Sequence, residues 1–514
     1  MKNIILILFC FACILFPLKS FSQNRNNVWV FGDRAGIDFS GVAAQSISTN
    51  ICSRGSCSSI CDSSGNLQFY ISSTTKSLFA QFKAPARIYN KKFKTMKNGD
   101  SIAGDLWYKE FEIIPMPLQN NLYYTIQAGE TNFVPGLFYS IIDINANYGK
   151  GEVMQKNIRL EDSTFLCNDG LAAIKHGNGR DWWVICRNWG HYTDTFNFYL
   201  ATPNGIAYHH SQKISDNLFS GFYRIEPSND GNKIACCTNK GFLSTFDFDR
   251  CTGLLSNEVN ISHETTNPNL YNWVWDCELS NNNKYLYVSQ SYNAYDTSNY
   301  LFRYNLQSAN IAASIDTLYA GAFRSDAGLI ELAPDGKMYW ACANLDSFVF
   351  NYPYPDSLHN YITDNLSVIN YPDSSYCDFQ PFSFYLGGKR TYYGLPNNPN
   401  YELGPDTGSV CDSLGLLTPE TPKPPLWGLN TTYISAWEKL FVNAQNLKGK
   451  HVTITIYDAA GKEKFARGKP PGGGLGVYSG YFTLDVDCTG WASGLYVVHL
   501  ETEEEVFSKK FVKE

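Results

Sequence analysis

A strand, a polar turn and a second strand recur along this chain. The turn at residues 228–232 of IEPSNDGNKIACC runs directly into apolar residues, and ELSNNNKYLYV and ELAPDGKMYWA repeat the arrangement later. Three earlier segments have the same form, namely CDSSGNLQFYIS, PLQNNLYYTIQ and KHGNGRDWWVICRN. Repeats of about 40–50 residues with strands and Asn, Asp or Gly turns are typical of β-propeller blades, each a four-stranded sheet that needs neighbours to bury its faces.

The segments between the turns also predict strands. Tyr300, Phe302 and Tyr304 alternate with other residues in NYLFRYNLQSANI, and no long stretch has helical periodicity. We therefore predict an all-β fold in which residues 23–390 form a β-propeller of about seven blades.

The two ends of the predicted ring should meet. A closed ring leaves no free sheet edges, and strand pairing is the usual way to remove them. We therefore expect the N-terminal strand at residues 28–33 to pair with the strand at residues 379–386.

The first residues have the pattern of a signal peptide. Lys2 gives a short positive region and residues 4–17 are apolar. Small residues then precede a cleavage point between Ser22 and Gln23, so we expect residues 1–22 to be removed. The mature chain is expected to be secreted or held at the outer cell surface, via the periplasm. No later segment approaches eighteen uncharged apolar residues, and we expect no transmembrane segment in the mature chain.

The cysteine count predicts at least one thiol that is unpaired or that pairs outside the chain. Two of the fifteen cysteines lie in the apolar N-terminal stretch, which leaves an odd number where disulfides can persist. Cys52, Cys57 and Cys61 lie close together in sequence, but no nearby His or fourth Cys completes a zinc site. We therefore expect these three to be disulfide-bonded or buried, and we predict no metal site.

Charge and motifs argue against several functions. The net charge is -7 and the Lys and Arg residues are scattered, which argues against a nucleic-acid surface. His-Glu-x-x-His, Gly-x-Ser-x-Gly and Walker motifs are absent from the sequence. Asp247 and Asp249 share a strand face, but acidic residues are common on blade surfaces. We therefore expect no catalytic residues and no cofactor.

Aromatic residues provide the candidate ligand site. The chain has 11 Trp, 34 Tyr and 33 Phe, and some of them stand among polar residues where loops are expected. An aromatic ring beside Asn or Asp is how proteins commonly hold sugar faces and peptides, although packing in the core is the alternative for each. The candidate ligand-binding residues are Trp189, Tyr192, Trp273, Trp275 and Tyr292.

The composition changes near residue 395. Residues 391–429 are rich in Pro and Gly and lack strand periodicity, so we interpret them as a linker that uncouples the propeller from the C-terminal segment. Residues 430–514 contain alternating strands joined by Gly-bearing turns. They predict a small C-terminal immunoglobulin-like β-sandwich.

Five ordered segments of the propeller carry a resemblance. NNVWVFGDRAGIDFS, IYNKKFKTMKNGDSIAGD, GLFYSIIDINANYGKGEV, AAIKHGNGRDWWVI and LIELAPDGKMYWA resemble landmarks of a family of secreted β-propeller proteins of the Bacteroidota. The resemblance covers most of residues 27–395. It implies a propeller but no defined molecular task, and several members of that family stand beside gliding-motility or other surface modules.

The last segment resembles the C-terminal sorting domain of type IX secretion substrates. The matching residues include Gly461, the run Gly494, Leu495 and Tyr496, and the late pair Lys509 and Lys510. The Asn-Pro element usual at the start of such domains is missing. The resemblance implies that residues 430–514 are recognised by the type IX secretion machinery.

The sequence supports three hypotheses about function. The first is a secreted or cell-surface propeller that binds a glycan or a protein and has no catalytic activity. The second is a polysaccharide hydrolase or lyase built on a propeller. The third is a structural or adhesion component of a surface or gliding apparatus.

Overall fold

The computed structural model describes fifteen stretches of the chain, and all statements below concern them. They are residues 24–72, 85–104, 108–129, 135–161, 167, 169–187, 194–215, 223–264, 273–291, 299–321, 325–344, 359–412, 428–468, 475–477 and 480–513. The named helices among them are single turns at Ala146–Gly149, Ala312–Ser314 and Ser435–Trp437. None of the helices described is long and apolar enough to span a membrane.

Seven antiparallel sheets succeed one another through the larger domain, and the first two have three strands each. The first sheet consists of β1 (Val28–Phe31), β2 (Asp33–Asp38) and β3 (Gln45–Cys52). The second consists of β4 (Cys57–Cys61), β5 (Leu67–Ser72) and β6 (Arg87–Asn90).

The other five sheets have four strands each, in sequence order. The third consists of β7 (Phe111–Pro115), β8 (Leu122–Gly129), β9 (Gly136–Asp143) and β10 (Glu152–Arg159). The fourth consists of β11 (Ala172–Lys175), β12 (Trp182–Arg187), β13 (Thr195–Thr202) and β14 (Gly205–Lys213). The fifth consists of β15 (Tyr223–Pro227), β16 (Lys233–Thr238), β17 (Leu243–Asp249) and β18 (Leu254–Ser262). The sixth consists of β19 (Trp273–Leu279), β20 (Tyr285–Ser291), β21 (Asn299–Asn305) and β22 (Asp316–Ala320). The seventh consists of β23 (Ser325–Leu332), β24 (Met338–Asn344), β25 (Asn365–Ile369) and β26 (Phe379–Tyr385).

These sheets are the blades of a propeller, as the repeats predict. The first strands of the second to seventh sheets, β4, β7, β11, β15, β19 and β23, contact one another in that order. Apolar side chains from adjacent sheets pack between them, as Trp183 of the fourth sheet and Ile234 of the fifth do. Trp29 and Tyr339, from the first and last sheets, pack edge to face with ring centroids 5.9 Å apart. The prediction of an all-β propeller is confirmed.

The repeated polar turns connect the first and second strands of successive blades. In the fifth sheet the amide of Lys233 donates to Ser228 Oγ at 2.9 Å, and Gly231 has a φ of 71°. In the sixth sheet the amide of Tyr285 donates to Ser280 Oγ at 2.9 Å, and Asn283 has a φ of 56°. The positive φ explains why Gly or Asn recurs there. The face with these turns is called the turn face below.

The predicted pairing of residues 28–33 with residues 379–386 is wrong. β26 pairs with β25 as the fourth strand of the seventh sheet, and β1 pairs with β2. Residues 379–386 therefore complete a sheet that would otherwise have only three strands.

Residues 390–398 lie beside β1 instead. The amide of Asp33 donates to the Arg390 carbonyl at 2.8 Å, and the two side chains form a buried ion pair. At the other end of the segment, Asn398 Nδ2 donates to Asn26 Oδ1 at 2.7 Å, so the segment runs antiparallel to β1. The two ends of the propeller meet as expected, but the C-terminal partner of β1 is residues 390–398 and not residues 379–386.

The predicted linker at residues 391–429 is folded over its first part. Residues 399–412, called the strap below, cross the turn face. Tyr401 is buried there, and its hydroxyl donates to the Ile113 carbonyl at 2.7 Å. The linker prediction was wrong here. A segment rich in Pro and Gly can lack strands and still pack closely on the rest of the protein. Residues 413–427 lie outside the described part of the chain.

A disulfide fixes the far end of the strap. It joins Cys411 to Cys251, which follows β17 in the fifth sheet. Cys57 and Cys61 are buried thiols and Cys52 is half-buried, in line with one of the two expectations for these cysteines.

The C-terminal segment folds as two sheets around one core. The first sheet consists of β27 (Leu429–Ile434), β28 (Lys439–Ala444) and β32 (Phe482–Asp487). The second consists of β29 (His451–Asp458), β30 (Glu463–Arg467), β31 (Leu475–Gly476), β33 (Gly494–Thr502) and β34 (Val506–Lys513). Val442 and Ile454 from the two sheets are fully buried in the shared core. The immunoglobulin-like topology stays a prediction.

The sandwich packs on the propeller rather than hanging from it. β10 of the third sheet contacts β27, β28 and β32. Lys156 of β10 pairs with Asp485 at 2.7 Å, and its amide donates to Asn443 Oδ1 at 3.0 Å. Phe441 is buried in the same interface with Phe138. The expectation of an uncoupled sandwich is therefore wrong.

Candidate functional site

Three glutamates converge where the inner strands reach the turn face. Glu226, Glu278 and Glu331 lie at the ends of β15, β19 and β23, each two residues before the first residue of its turn. Because neighbouring blades repeat the same geometry, this common position brings the three side chains together. One carboxylate oxygen from each lies within 4.8 Å of the others.

Lys109 is the positive group at the centre of this cluster. It lies just before β7 and is 1% exposed. Its ammonium group forms an ion pair with Glu226 and lies 3.4 Å from Asp276 Oδ1 and 3.5 Å from Glu331 Oε2. One lysine thus connects the segment that leads into β7 with carboxylates of β15, β19 and β23.

A cavity opens on the other side of the carboxylates. It has a volume of about 370 Å³ and lies on the turn face, where Glu112, Glu226, Glu278 and Glu331 line it and Lys109 does not. Eight asparagines supply most of the remaining polar lining.

The strap forms one wall of this cavity. Asn400 Nδ2 donates to Asn229 Oδ1 at 2.7 Å, and Asn229 in turn donates to Asn281. Arg250 donates to the carbonyl of Gly404 at 2.6 Å, beside the disulfide to Cys411. The strap is therefore anchored on both sides of the cavity.

Burial dominates the titration of the cluster. It raises the pKa of Glu226 to about 7, although Lys109 opposes the shift. Burial also raises the pKa of Glu112, Glu278 and Glu331 well above the ordinary carboxyl value. The desolvated carboxylates outnumber the single ammonium that faces them, which explains why their charged forms are disfavoured.

Glu112 is the least satisfied member of the cluster. It belongs to β7, is 2% exposed, and receives a backbone hydrogen bond from Ala173. Its Oε2 atom has no hydrogen-bond partner in the described part of the chain. A buried acceptor of this kind is costly unless a ligand or a proton satisfies it.

Trp275 is the one aromatic candidate whose side chain is described, and it packs within the propeller. It stacks on Tyr393 with ring centroids 5.0 Å apart and meets Tyr108 edge to face at 5.3 Å. Its Nε1 donates to Ser291 Oγ at 3.1 Å. These contacts are those of the core-packing alternative, and a ligand role for this ring stays a prediction.

The remaining aromatic and cleavage-site candidates are not described. Trp189, Tyr192 and Tyr292 lie outside the described residues, as do Ser22 and Gln23. Trp273 is the first residue of β19, and its side chain is not described.

The acidic pair considered from sequence lies on β17, the third strand of the fifth sheet. Asp247 forms an ion pair with Lys233, and Asp249 accepts the amide of Cys251 at 2.8 Å. Both carboxylates are thus used in surface and turn contacts.

The sorting-motif residues gather toward one end of the five-stranded sheet. Gly461 has a φ of 78° in the turn after β29, and Asp458 of β29 pairs with Tyr496 of β33. Tyr496 is buried, whereas Leu495 is exposed and Gly494 begins the strand. On the adjacent strand β34, Lys509 and Lys510 are exposed.

The carboxylate cluster was missed by the sequence reasoning. A signal was present, because IEPSNDG, CELSNNN and IELAPDG each carry Glu at the same position before the turn. Aligning the repeats by these glutamates would have predicted three carboxylates at one end of the ring. Lys109 and Glu112 give no such signal, since they come from a blade whose turn has a different sequence.

Comparisons with known proteins add little beyond fold. A scan against protein-family models finds no match. A search of curated proteins finds none either.

Solved structures resemble the chain, and one of them is described as a β-propeller domain. A Bacteroides fragilis protein provisionally named a 6-phosphogluconolactonase has 12% identity and a TM-score of 0.44, covering 73% of this chain and 98% of that one. The Cps50 (Swd1) β-propeller domain of Myceliophteria thermophila has 12% identity and a TM-score of 0.36, covering 63% and 94%. An auxiliary nutrient binding protein of Bacteroides thetaiotaomicron has 10% identity and a TM-score of 0.34, covering 61% and 69%. Similarity at these levels says nothing about ligand or activity.

Replacing Glu112 by Gln tests the cost of the buried charge. Folding raises the pKa of the Glu112 carboxyl above its ordinary value of 4.5. The protein therefore loses stability as the pH rises above 4.5, because the unfolded chain releases this proton more readily than the folded chain does. In EDTA we expect Glu112→Gln to raise the free energy of unfolding at pH 8 by about 1–4 kcal/mol. The gain should be much smaller at pH 5.

Urea denaturation at the two pH values measures both differences. Asp247→Asn is the matched control, because the partly exposed Asp247 carboxylate forms an ion pair with Lys233, and such a surface pair contributes about 0–1 kcal/mol. An equal gain for Glu112→Gln at pH 5 and pH 8 would contradict the burial account.

Proposed function

We propose that this protein is an exported β-propeller that binds the end of a glycan in the turn-face cavity and does not alter it chemically. The observation that supports the proposal is the cavity of about 370 Å³ with its eight asparagines and five glutamates. Amide and carboxylate groups offer directed hydrogen-bond donors and acceptors, which a ligand with many hydroxyls requires. The volume lies in the usual range of about 300–1,000 Å³ for small-ligand sites.

The cavity wall is held in place before a ligand arrives. Asn229 is hydrogen-bonded to both Asn281 and Asn400, and the disulfide at Cys411 holds the strap that carries Asn400. A site that is already ordered spends less free energy on ordering when it binds. This supports a binding role for the turn face.

A recessed site favours a glycan end over a folded protein. Stable protein interfaces bury about 800 Å² on each partner, mostly between matched and rather flat surfaces. A polar cavity with a strap along its wall suits a narrow ligand better.

Cleavage of the glycan is the second candidate. It is favoured by one observation, the grouping of buried glutamates whose pKa values are all raised by burial, that of Glu226 to about 7. Glycoside hydrolases use one protonated and one ionised carboxyl group. If the wild-type protein releases reducing sugar from a glycan and Glu226→Gln does not, this alternative is established. The binding proposal predicts that neither protein releases sugar.

We also propose that residues 430–514 direct export through the type IX secretion machinery. The support is the resemblance of the motif residues and their arrangement on one sheet, while β10 contacts the other sheet. Lys509 and Lys510 are exposed on β34, where a receptor could reach them. Export then places the propeller at the outer surface or in the medium.

Substitution of a cavity asparagine tests glycan binding. A glycan panel first identifies a glycan that the full chain binds. Asn281→Ala should weaken the affinity for that glycan by about threefold to tenfold, the loss expected for one hydrogen bond. Asn204→Ala, at an exposed turn outside the cavity lining, should bind normally. Isothermal titration with the selected glycan measures both.

Two outcomes would count against the cavity as the glycan site. One is equal affinity of the Asn281→Ala and wild-type chains. The other is loss of binding in Trp189→Ala with no change in Asn281→Ala, which would assign the ligand to the predicted aromatic site.

Point changes in the sandwich test export without removing a packed domain. In cells with type IX secretion, Lys509→Ala with Lys510→Ala should move most of the protein from the surface or medium into the periplasm. The control is Lys448→Ala with Lys450→Ala, two exposed lysines on the same sandwich. Fractionation with an antibody against the propeller measures the distribution, and unchanged export of the first variant would refute a role for these lysines.

A further inference from the structure

The turn-face cavity also has the features of a metal site. Glu226, Glu278 and Glu331 come from three adjacent inner strands, and one oxygen of each lies within 4.8 Å of the others. A calcium ion holds its oxygen ligands at about 2.3–2.6 Å, so oxygens on opposite sides of one ion are about 5 Å apart. The three carboxylates can therefore contact the same ion after small side-chain rotations.

Glu112 points to a ligand independently of these three. It enters the cavity lining from β7, is 2% exposed, and keeps its Oε2 atom without a hydrogen-bond partner in the described part of the chain. A carboxylate oxygen that is buried without a donor is stabilised by a cation. It would supply a fourth carboxylate beside the other three.

Lys109 does not line the cavity side of the carboxylate cluster. Its ammonium group contacts Glu226 Oε2, Glu331 Oε2 and Asp276, and it does not line the cavity. Glu278 receives its hydrogen bond from the amide of Leu332 at 3.3 Å. The four clustered glutamates line the cavity, and the single lysine behind them can balance only one charge when they ionise.

We propose that the turn-face cavity binds one divalent cation of the hard, oxygen-preferring class through Glu226, Glu278 and Glu331, with Glu112 as an additional ligand. An all-carboxylate donor set selects calcium, magnesium or manganese over zinc or copper, which prefer histidine and thiolate. The cavity leaves room for water in the remaining coordination positions. Glutamates from separate strands tolerate the irregular geometry of calcium better than the octahedron that magnesium requires.

The site goes beyond the proposed glycan function, and the two can fail separately. The metal is tested alone, without any glycan. Metal binding with no glycan retained would overturn the glycan proposal only. Glycan binding in EDTA by a chain that takes up no metal would overturn the metal proposal only.

Calorimetric titration of the full chain with CaCl₂, after treatment with EDTA and dialysis, tests the metal site. We expect one saturable site and a calcium-dependent rise in melting temperature, since an ion that binds only the folded state stabilises it. Glu278→Gln should weaken calcium binding by about tenfold or more, because it removes one charged ligand. Asp247→Asn, which alters an exposed carboxylate outside the cavity lining, should leave the affinity unchanged.

A second variant keeps the test decisive if Glu278→Gln does not fold. Glu112→Gln removes the fourth carboxylate and should also weaken calcium binding by several fold. No saturable binding of calcium, magnesium or manganese by the wild-type chain would overturn the proposal. Equal calcium affinity in Glu112→Gln, Glu278→Gln and Asp247→Asn would overturn it as well, because the ion would then lie elsewhere.

Discussion

The buried ammonium group of Lys109 is the interaction on which the centre of this propeller depends. Its own segment leads into β7, and its contacts reach carboxylates of β15, β19 and β23. Removing water from several like charges is expensive, and one opposite charge offsets only part of that cost. The ring therefore carries a charge imbalance at its axis, and that imbalance is what gives the turn-face cavity its chemical character.

Closure of the ring and construction of the cavity use the same segment. Residues 390–398 lie against β1 near the axis, and the strap then turns across the cavity toward the disulfide at Cys411. A single stretch thus meets the first strand of the propeller and supplies Asn397, Asn398 and Asn400 to the cavity lining. The sandwich packs on β10 through its three-stranded sheet, and the sorting-motif residues lie on its other sheet.

The fold could be predicted from the sequence because local chemistry determines it. Positive φ at Gly231 and Asn283 requires the turn residues that recur, and alternation indicates the strands between them. The candidate site could not be predicted, because Lys109 meets Glu226 across more than a hundred residues and no local pattern joins them. The strap was misjudged for the same reason, since the contact of Tyr401 with Ile113 leaves no trace in Pro and Gly content. The aromatic candidates were chosen from composition, and composition does not show where a side chain lies in the folded protein.

The most direct measurement is the stability of Lys109→Met in EDTA as a function of pH. Without the ammonium group, the surrounding carboxylates must be protonated or repel one another, so the free energy of unfolding should fall steeply between pH 5 and pH 8. The account predicts a large loss of stability relative to wild type at pH 8 and a clearly smaller loss at pH 5. Equal losses at the two pH values, or a variant as stable as wild type at pH 8, would contradict the claim that a charge imbalance at the axis defines this site.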